Sequence, residues 1–308
     1  MGLSAADDGF HRSRTADRSW TETAWFAGAV PERGLVVWTY PLFRPELGIM
    51  SCAVYVWEPG AEELWELPYH RTWWHLPIPE GIEATRFALP NGLSYECLEP
   101  LTAYRITYAD GDEISLDMTF RALHPPHAVG VVAGGRGHLD QLGRVTGELW
   151  LDGERLEIDC LEMRDRTWSP RRESRQSNVL TYSYGAGPGG GGFLLSTRRA
   201  RDGDGREVIT AFTLRDGAVT PMTGGACEIA RDDRGRPAAV RVTGTDGEGR
   251  PVVADGEVVS RVAMPSTPWF VWACMVRWTL PDGSQMYGEH QDTWSPALLR
   301  AHLRGRRA

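Results

Sequence analysis

The sequence predicts an all-β protein of two consecutive antiparallel barrels, followed by a short C-terminal helix. Asp-Gly pairs recur between strand-like stretches and predict hairpin turns at 110–111, 152–153, 216–217, 246–247, 255–256 and 282–283. Several stretches alternate apolar with polar or β-branched residues, the period of two that is typical of half-buried strands, as in 51–57, 103–109 and 113–123. Many short strands with frequent turns favour barrels or sandwiches, and 308 residues suffice for two such units.

The remaining segments complete this division. Only residues 296–307 have the pattern of a helix, with Pro296 in its first turn. A Gly-rich polar stretch at 134–144 separates two blocks of strands. We therefore expect an N-terminal β domain over 20–140 and a C-terminal β domain over 141–308. Residues 1–19 are polar and are expected to be loose.

Composition and charge argue against several classes of protein. A net charge of -8 disfavours nucleic acid, whose binding needs a basic surface. All 33 basic residues are arginine, and the absence of lysine excludes Schiff-base catalysis and a phosphate-loop lysine. No apolar stretch reaches the roughly 18 residues that span a bilayer, and no signal peptide is recognisable. The expectation is a cytoplasmic monomer or homodimer without a membrane span.

Motifs for nucleotides and metals are weak. The stretch 185–190 matches GxGxxG, but strand-like residues flank it on both sides, which favours a hairpin loop. The histidine pairs at 70–75 and 124–127 lack further ligands, and prolines prevent a helix in the second. The five cysteines are widely spaced without a CxxC pair, as expected of core residues in a reducing compartment. We expect neither a metal nor an organic cofactor.

The stretch MRDRTWSPR, residues 163–171, is the most informative. Strand alternation puts Glu162, Arg164 and Arg166 on one face and Asp165 on the other. Two arrangements follow. If the arginines pair with Asp165, they lower its pKa and keep it ionised. Asp165 is then an orienter or a base, and the proton donor is Glu162, Glu289 or His138, unless the stretch is only an ion-pair corner of the barrel. If the arginines point to solvent and Asp165 points inward, its carboxyl can serve as an acid.

The stretch 137–171 also resembles the signature of the carotenoid hydratase (hydroxyneurosporene synthase)/AttH-like superfamily of double lipocalin-like proteins, which takes in kievitone hydratase. The resemblance implies two lipocalin-like (calycin) barrels, with Asp165 on a strand of the second. It also implies reactions at carbon–carbon double bonds of isoprenoid or polyketide molecules without redox cofactors. His138 matches a histidine at the family's domain junction, and Gly288–Glu289 match its closing strand. Ser169 replaces a glycine, which indicates a separate bacterial branch.

The residues by themselves fit that chemistry. A carboxyl group in an apolar cavity keeps its proton, and aromatic faces stabilise a carbocation. We expect a cofactor-independent hydro-lyase or isomerase, such as a terpenoid hydratase or terpene cyclase, acting on a hydrophobic polyene. The alternatives are a non-catalytic carrier of a hydrophobic ligand and a pericyclic, Diels–Alder type cyclase. The expected catalytic residues are Asp165, Glu162, His138 and Glu289; the expected substrate-binding residues are Trp168, Tyr184, Tyr287, Trp294 and Trp272.

Overall fold

The structure is a computed structural model that describes residues 3–11, 13–131, 135–172, 179–200, 205–266 and 269–305. Antiparallel β-sheet dominates it, which confirms the predicted fold class. The chain divides into two compact units. The first unit comprises Met1–Val56 and Leu67–Arg171, and the second comprises Trp57–Glu66 and Arg172–Ala308.

The first unit is a curled sheet of eleven strands. Its strands are β1 (Trp20–Val30), β2 (Leu35–Arg44), β3 (Ile49–Trp57), β4 (Tyr69–Pro77), β5 (Arg86–Ala88), β6 (Ser94–Glu99), β7 (Ala103–Asp110), β8 (Ile114–Ala122), β9 (His127–Val129), β10 (Gly137–Leu151) and β11 (Glu154–Pro170). Their order is β4-β3-β2-β1-β11-β10-β8-β7-β6-β5, and β9 pairs with β10. Short 3-10 helices lie at Ala5–Asp8, Pro31–Arg33, Pro45–Leu47 and, in the second unit, Leu64–Glu66.

The second unit is a closed barrel of eight strands, each paired with its neighbours in chain order. The strands are β12 (Val179–Ala186), β13 (Gly192–Arg199), β14 (Arg206–Arg215), β15 (Ala218–Arg231), β16 (Pro237–Asp246), β17 (Pro251–Ser266), β18 (Trp269–Thr279) and β19 (Gln285–Trp294), followed by helix α1 (Pro296–Gly305). Leu299 and Leu303 of α1 pack against the barrel core. A barrel of eight strands is just wide enough to be filled by its own side chains or to hold one small ligand.

A segment of the first half of the chain belongs to this second unit. Trp57–Glu66 begins at the last residue of β3 and leads back to β4, yet it groups with residues 172–308. Glu62 carries the attachment: its carboxylate lies 2.8 Å from Arg261 Nη2 and also contacts Arg236. The two units are therefore connected by three passages of the chain.

The Asp-Gly turns behave as expected with one exception. Five of the six pairs lie in turns between consecutive strands, whereas Asp255–Gly256 lies inside β17, so the turn predicted there is wrong. The glycine is needed for a different reason. A Cβ at Gly256 would lie 2.6 Å from Val276 and 2.7 Å from the ring of Trp278, both in the barrel core.

Two further predictions need correction. The boundary expected at residue 140 falls inside β10, whose partner β11 also pairs with β1, so both strands belong to the first unit, which ends at Arg171. The N-terminus was expected to be loose, but Ala5–Asp8 form a 3-10 helix and the Asp8 side chain is buried. In the part of the chain that the structure describes, no helix is long and apolar enough to cross a membrane.

Candidate functional site

The β10–β11 hairpin brings the polar residues of the informative stretch together. Its turn at Asp152–Gly153 fixes a register without a bulge, in which Asp140 lies opposite Asp165 and His138 lies opposite Thr167. Side chains directly opposite one another on an antiparallel pair share a face and are close enough to interact. Two carboxylates and one imidazole therefore lie on one face of this hairpin.

The face continues across the next two strands with aromatic residues. Trp25 on β1 lies opposite Asp165 on its other side. Trp38 on β2 meets Trp25 edge to face, with ring centroids 5.3 Å apart. Tyr40, two residues further along β2, accepts a hydrogen bond of 3.0 Å from Arg171 Nη1. We call this surface, formed by β10, β11, β1 and β2, the Asp165 face.

The electrostatics of Asp165 are those of a carboxyl group that takes up its proton about two pH units above an ordinary aspartate. Burial raises the pKa of Asp165 to about 6; the nearby His138 opposes this rise, and the Asp140 carboxylate adds to it. The buried Oδ1 atom of Asp165 has no hydrogen-bond partner. A buried polar atom without a partner is costly, so its retention favours a functional role.

His138 and Asp140 form an ion pair beside Asp165. His138 Nε2 lies 2.7 Å from Asp140 Oδ1, and Nδ1 lies 2.8 Å from the Thr167 hydroxyl. Burial disfavours the charged imidazole, but the Asp140 carboxylate outweighs it and raises the pKa of His138 to about 9. His138 is therefore a charged imidazolium at neutral pH, paired with Asp140. Asp165 exchanges its proton near pH 6, about one pH unit below neutrality.

The two arginines beside Asp165 in the sequence adopt neither arrangement considered above. Arg164 and Arg166 lie on the opposite face of β11, as alternation predicts, but they are buried rather than solvent-exposed. Arg166 Nη2 lies 3.1 Å from Glu22 Oε2, and Arg164 Nη1 lies 3.6 Å from Asp8 Oδ1. Both guanidiniums thus have their own carboxylates in the core of the first unit and leave Asp165 without a direct arginine partner on β11.

The structure brings together only part of the predicted site. His138 joins Asp165, but Glu162 and Trp168 are buried on the opposite face with the arginines. Trp168 packs against Gly137, where a Cβ would lie 2.3 Å from the indole, and stacks on His11 with centroids 4.2 Å apart. Its expected contact with substrate beside Asp165 is therefore not supported by its position.

The other predicted residues lie in the second unit. Trp272 and Trp294 pack in the core of the closed barrel. Tyr184, Tyr287 and Glu289 alternate with residues that face this core, so they lie on the outer face of β12 and β19. The implied assignment of the Asp165 strand to the second barrel is also corrected, because β11 belongs to the first unit.

The barrel of the second unit contains a separate buried polar cluster. Asp292 Oδ2 lies 2.7 Å from Arg231 Nη1, and the Arg231 guanidinium lies 5.5 Å from the ring centroid of Trp294. His290 Nδ1 lies 2.8 Å from the Ser183 hydroxyl, and burial lowers the pKa of His290 to about 4. At neutral pH this histidine is uncharged, and the acid of the cluster is paired.

The residues that the sequence predicted for the site did not include Asp140, Trp25, Trp38, Tyr40 and Arg171. A signal for Asp140 was present: counting back from the two-residue turn at 152–153 pairs it with Asp165. No comparable signal marked β1 and β2, because β1 pairs with β11 across more than 120 positions and β2 reaches the face only through its pairing with β1. Among the described residues, no group of three or more histidine, cysteine, aspartate or glutamate side chains is arranged to hold a metal ion.

Solved structures share this fold over nearly the whole chain. An AttH-like protein of Nitrosomonas europaea is 14% identical, with a TM-score of 0.62 over 95% of this chain and 96% of that one. Kievitone hydratase of Nectria haematococca is 13% identical, with a TM-score of 0.59 over 96% and 93%. CghA is 14% identical, with a TM-score of 0.57 over 90% and 88%. At these identities the likeness shows the fold, which is that of the double lipocalin-like proteins.

No curated protein matches the sequence. A family model does match, that of the domain of unknown function DUF7064, over residues 4–296. This range covers most of both units and every residue of the Asp165 face. The chain therefore belongs to the DUF7064 family.

Proposed function

We propose that this protein is a hydratase-type enzyme that protonates a carbon–carbon double bond of a hydrophobic, terpenoid-like substrate, with Asp165 as the proton donor. The observation that carries the proposal is the state of Asp165. Its pKa is raised to about 6 by burial, and one of its oxygens is buried without a partner. A general acid works best when its pKa lies near the working pH.

The reaction follows from this proton. Protonated Asp165 gives its proton to one carbon of the double bond, whose π electrons form the new C–H bond and leave a cation at the other carbon. In hydration, water attacks that cation, and the proton that the water loses returns to the Asp165 carboxylate. Loss of a different proton from the cation gives isomerisation, and attack by a second double bond of the same molecule gives cyclisation.

The neighbours of Asp165 suit a cationic intermediate. Trp25 and Trp38 lie on its face, and the faces of indole rings attract positive charge. The charged His138–Asp140 pair contributes no net charge to the site, and His138 is the second candidate donor because its pKa is near 9. Among the structural neighbours, the one described as a kievitone hydratase supports hydration as the reaction class.

Solvent deuterium tests the proposal. The full chain is incubated in D₂O with a panel of terpenoid polyenes, and products are examined by mass spectrometry. Product with deuterium bound to carbon is expected from the wild type, and Asp165→Asn is expected to form almost none. Asp159→Asn is the matched control, because Asp159 lies on the same face of β11 but is exposed and paired with Arg144. Equal incorporation by wild type and Asp165→Asn would contradict the role of Asp165.

A carrier of a hydrophobic ligand is the second candidate, and the closed barrel of the second unit favours it. The barrel core is largely apolar, and Asp292, an acid inside it, is paired with Arg231. A carrier would bind polyenes in the same panel and release them unchanged. Binding without deuterium in any recovered molecule would favour this function over catalysis.

A further inference from the structure

The N-terminal segment inserts an acid into the core of the first unit. Asp8 is 2% exposed, and its carboxylate accepts hydrogen bonds from the Tyr104 hydroxyl at 2.8 Å and from the Leu101 backbone N–H at 2.6 Å. The same segment is held by Arg166, whose Nη2 donates to the Gly9 carbonyl at 2.6 Å and whose Nη1 donates to the Asp8 carbonyl. A segment without strand structure thus contacts β6, β7 and β11 through Cys97, Tyr104 and Arg166. It also contacts β1 and β2 through Glu22 and Phe43.

The fit between this segment and the core is incomplete at Arg164. The side chain of Arg164 is 1% exposed, and its Nε donates to Gln141 Oε1 at 2.7 Å. Its Nη1 lies 3.6 Å from Asp8, which is an ion pair without a hydrogen bond, and its Nη2 has no hydrogen-bond partner. Arginine and a carboxylate can form two parallel hydrogen bonds. The core therefore contains a buried guanidinium that is paired with a carboxylate but forms no hydrogen bond to it.

The charge and shape of the N-terminal segment indicate which kind of ligand could bind Arg164 in its place. The direct ion pairs of Arg164 and Arg166 are with Asp8 and Glu22, so removal of the Asp8 carboxylate removes the ion pair of Arg164. The segment also contributes an apolar group, since Phe10 meets Phe43 edge to face with centroids 5.1 Å apart. The place that the segment occupies thus takes one negative charge and an apolar body.

We propose that the core of the first unit contains a carboxylate-binding site, formed by Arg164, Arg166 and Tyr104, which Asp8 of the N-terminal segment occupies and which an amphipathic monocarboxylate can fill in its place. The carboxylate of the ligand takes the hydrogen bonds of Tyr104 and Leu101 and engages Arg164. Its apolar body replaces Phe10. This site lies on the face of β11 opposite Asp165, so it does not depend on the proposed reaction.

Chemical rescue tests the carboxylate position in the full chain. Asp8→Ala leaves Arg164 without its counter-charge and is expected to lower the melting temperature. Acetate at about 100 mM is expected to restore at least half of that loss, relative to sodium chloride of equal ionic strength, because a ligand that binds only the folded state stabilises it. Asp7→Ala is the matched control: Asp7 is in the same helix, but its carboxylate contacts Ser4 and His11 instead. Acetate should not distinguish this variant from the wild type.

Decanoate tests the amphipathic ligand. Asp8→Ala/Phe10→Ala is expected to bind decanoate at least about tenfold more tightly than the wild type in calorimetry, with no such gain for decan-1-ol, and a further Arg164→Met change should remove the gain. Equal gains for acid and alcohol, or none for the acid, would overturn the proposal. So would equal melting of Asp8→Ala in acetate and chloride. If Asp8→Ala is unfolded in chloride, folding in acetate supports the site and failure to fold in both salts counts against it.

Discussion

The two units end their final strands with the same letters and use them differently. Thr-Trp-Ser-Pro occurs at 167–170, where β11 ends, and at 293–296, where β19 ends. In both units the tryptophan side chain packs on the core side of its sheet. Trp168 is almost fully buried, whereas Trp294 is only partly buried.

Each tryptophan meets a histidine from one end of the chain. His11 stacks on Trp168 with rings 4.2 Å apart and 4° from parallel. His302 of α1 meets Trp294 at 4.9 Å and 33°. The N-terminal segment thus covers one tryptophan, and the C-terminal helix covers the other.

The residue immediately before Thr-Trp-Ser-Pro is positively charged in the first unit and negatively charged in the second. Arg166 faces the core of the first unit and pairs with Glu22, whereas Asp292 faces the barrel core and pairs with Arg231. Both pairs are buried, and breaking a buried pair costs far more than the pair contributes. The comparison teaches that the core position tolerates either sign, provided that another strand or segment supplies the partner.

The residue two positions before Thr-Trp-Ser-Pro points away from the core, and its chemistry differs between the two units. Asp165 in the first unit corresponds to Gln291 in the second, so an acid stands where the other unit has an amide. Both lie on the side of the strand away from the core. The acid is the feature of this comparison that the proposed reaction requires.

The largest expected effect concerns the two tryptophans. Trp168→Ala should lower the free energy of unfolding by about 3–5 kcal/mol, the range for removing a fully buried large side chain. Trp294→Ala should cost less, because Trp294 is only partly buried. Urea denaturation of the full chain, followed by circular dichroism, measures both. If Trp294→Ala lowers the free energy of unfolding as much as Trp168→Ala or more, the difference in burial does not determine how much each tryptophan contributes.

The second effect concerns the acid and the amide. Asp165→Asn gives the first unit an amide like that of the second and should lower turnover by at least roughly a hundredfold, the scale expected for a lost general acid. Because the pKa of Asp165 is raised, its ionised form is disfavoured in the folded state at neutral pH. The melting temperature should therefore stay within a few degrees of the wild type or rise. Loss of folding with full activity in the folded fraction would assign Asp165 a structural role.

The third effect is the pH dependence of turnover, which separates the two candidate donors. The acid form of Asp165 is present below its pKa of about 6, so kcat/KM should fall about tenfold per pH unit above pH 6. If His138 is the donor, the fall should begin near pH 9 instead. Rates measured between pH 5 and pH 10 decide between them, in the same ionic strength throughout.

The smallest effect concerns the histidines. His11→Leu and His302→Leu each remove a ring contact and should cost about 0.5–1.5 kcal/mol, the usual range for aromatic pairs. His11→Leu should cost more, because its ring is parallel to Trp168 and also lies 3.6 Å from Glu22. Thermal denaturation of both variants at one pH provides the measurement. A larger loss of stability in His302→Leu than in His11→Leu would contradict the expected order.

The strands and their turns were predictable because they depend on neighbouring residues. Alternation placed Arg164 and Arg166 opposite Asp165 correctly, and the Asp152–Gly153 turn sets the register that pairs Asp165 with Asp140. The partners of the arginines were not predictable. Asp8 lies more than 150 residues from them, in a polar stretch whose composition indicates a loose terminus. Its burial depends on positive charge that only the folded sheet brings together.

The segment Trp57–Glu66 has a consequence for how the chain can be divided. A protease that cuts after Arg171 separates the sequence into two fragments, but the first fragment still carries the segment that groups with the second. Glu62 and its partners Arg236 and Arg261 would then join the fragments without a peptide bond. The nicked molecule should co-purify as one species. The same point in the chain is where a split-protein reporter based on fragment complementation could be divided.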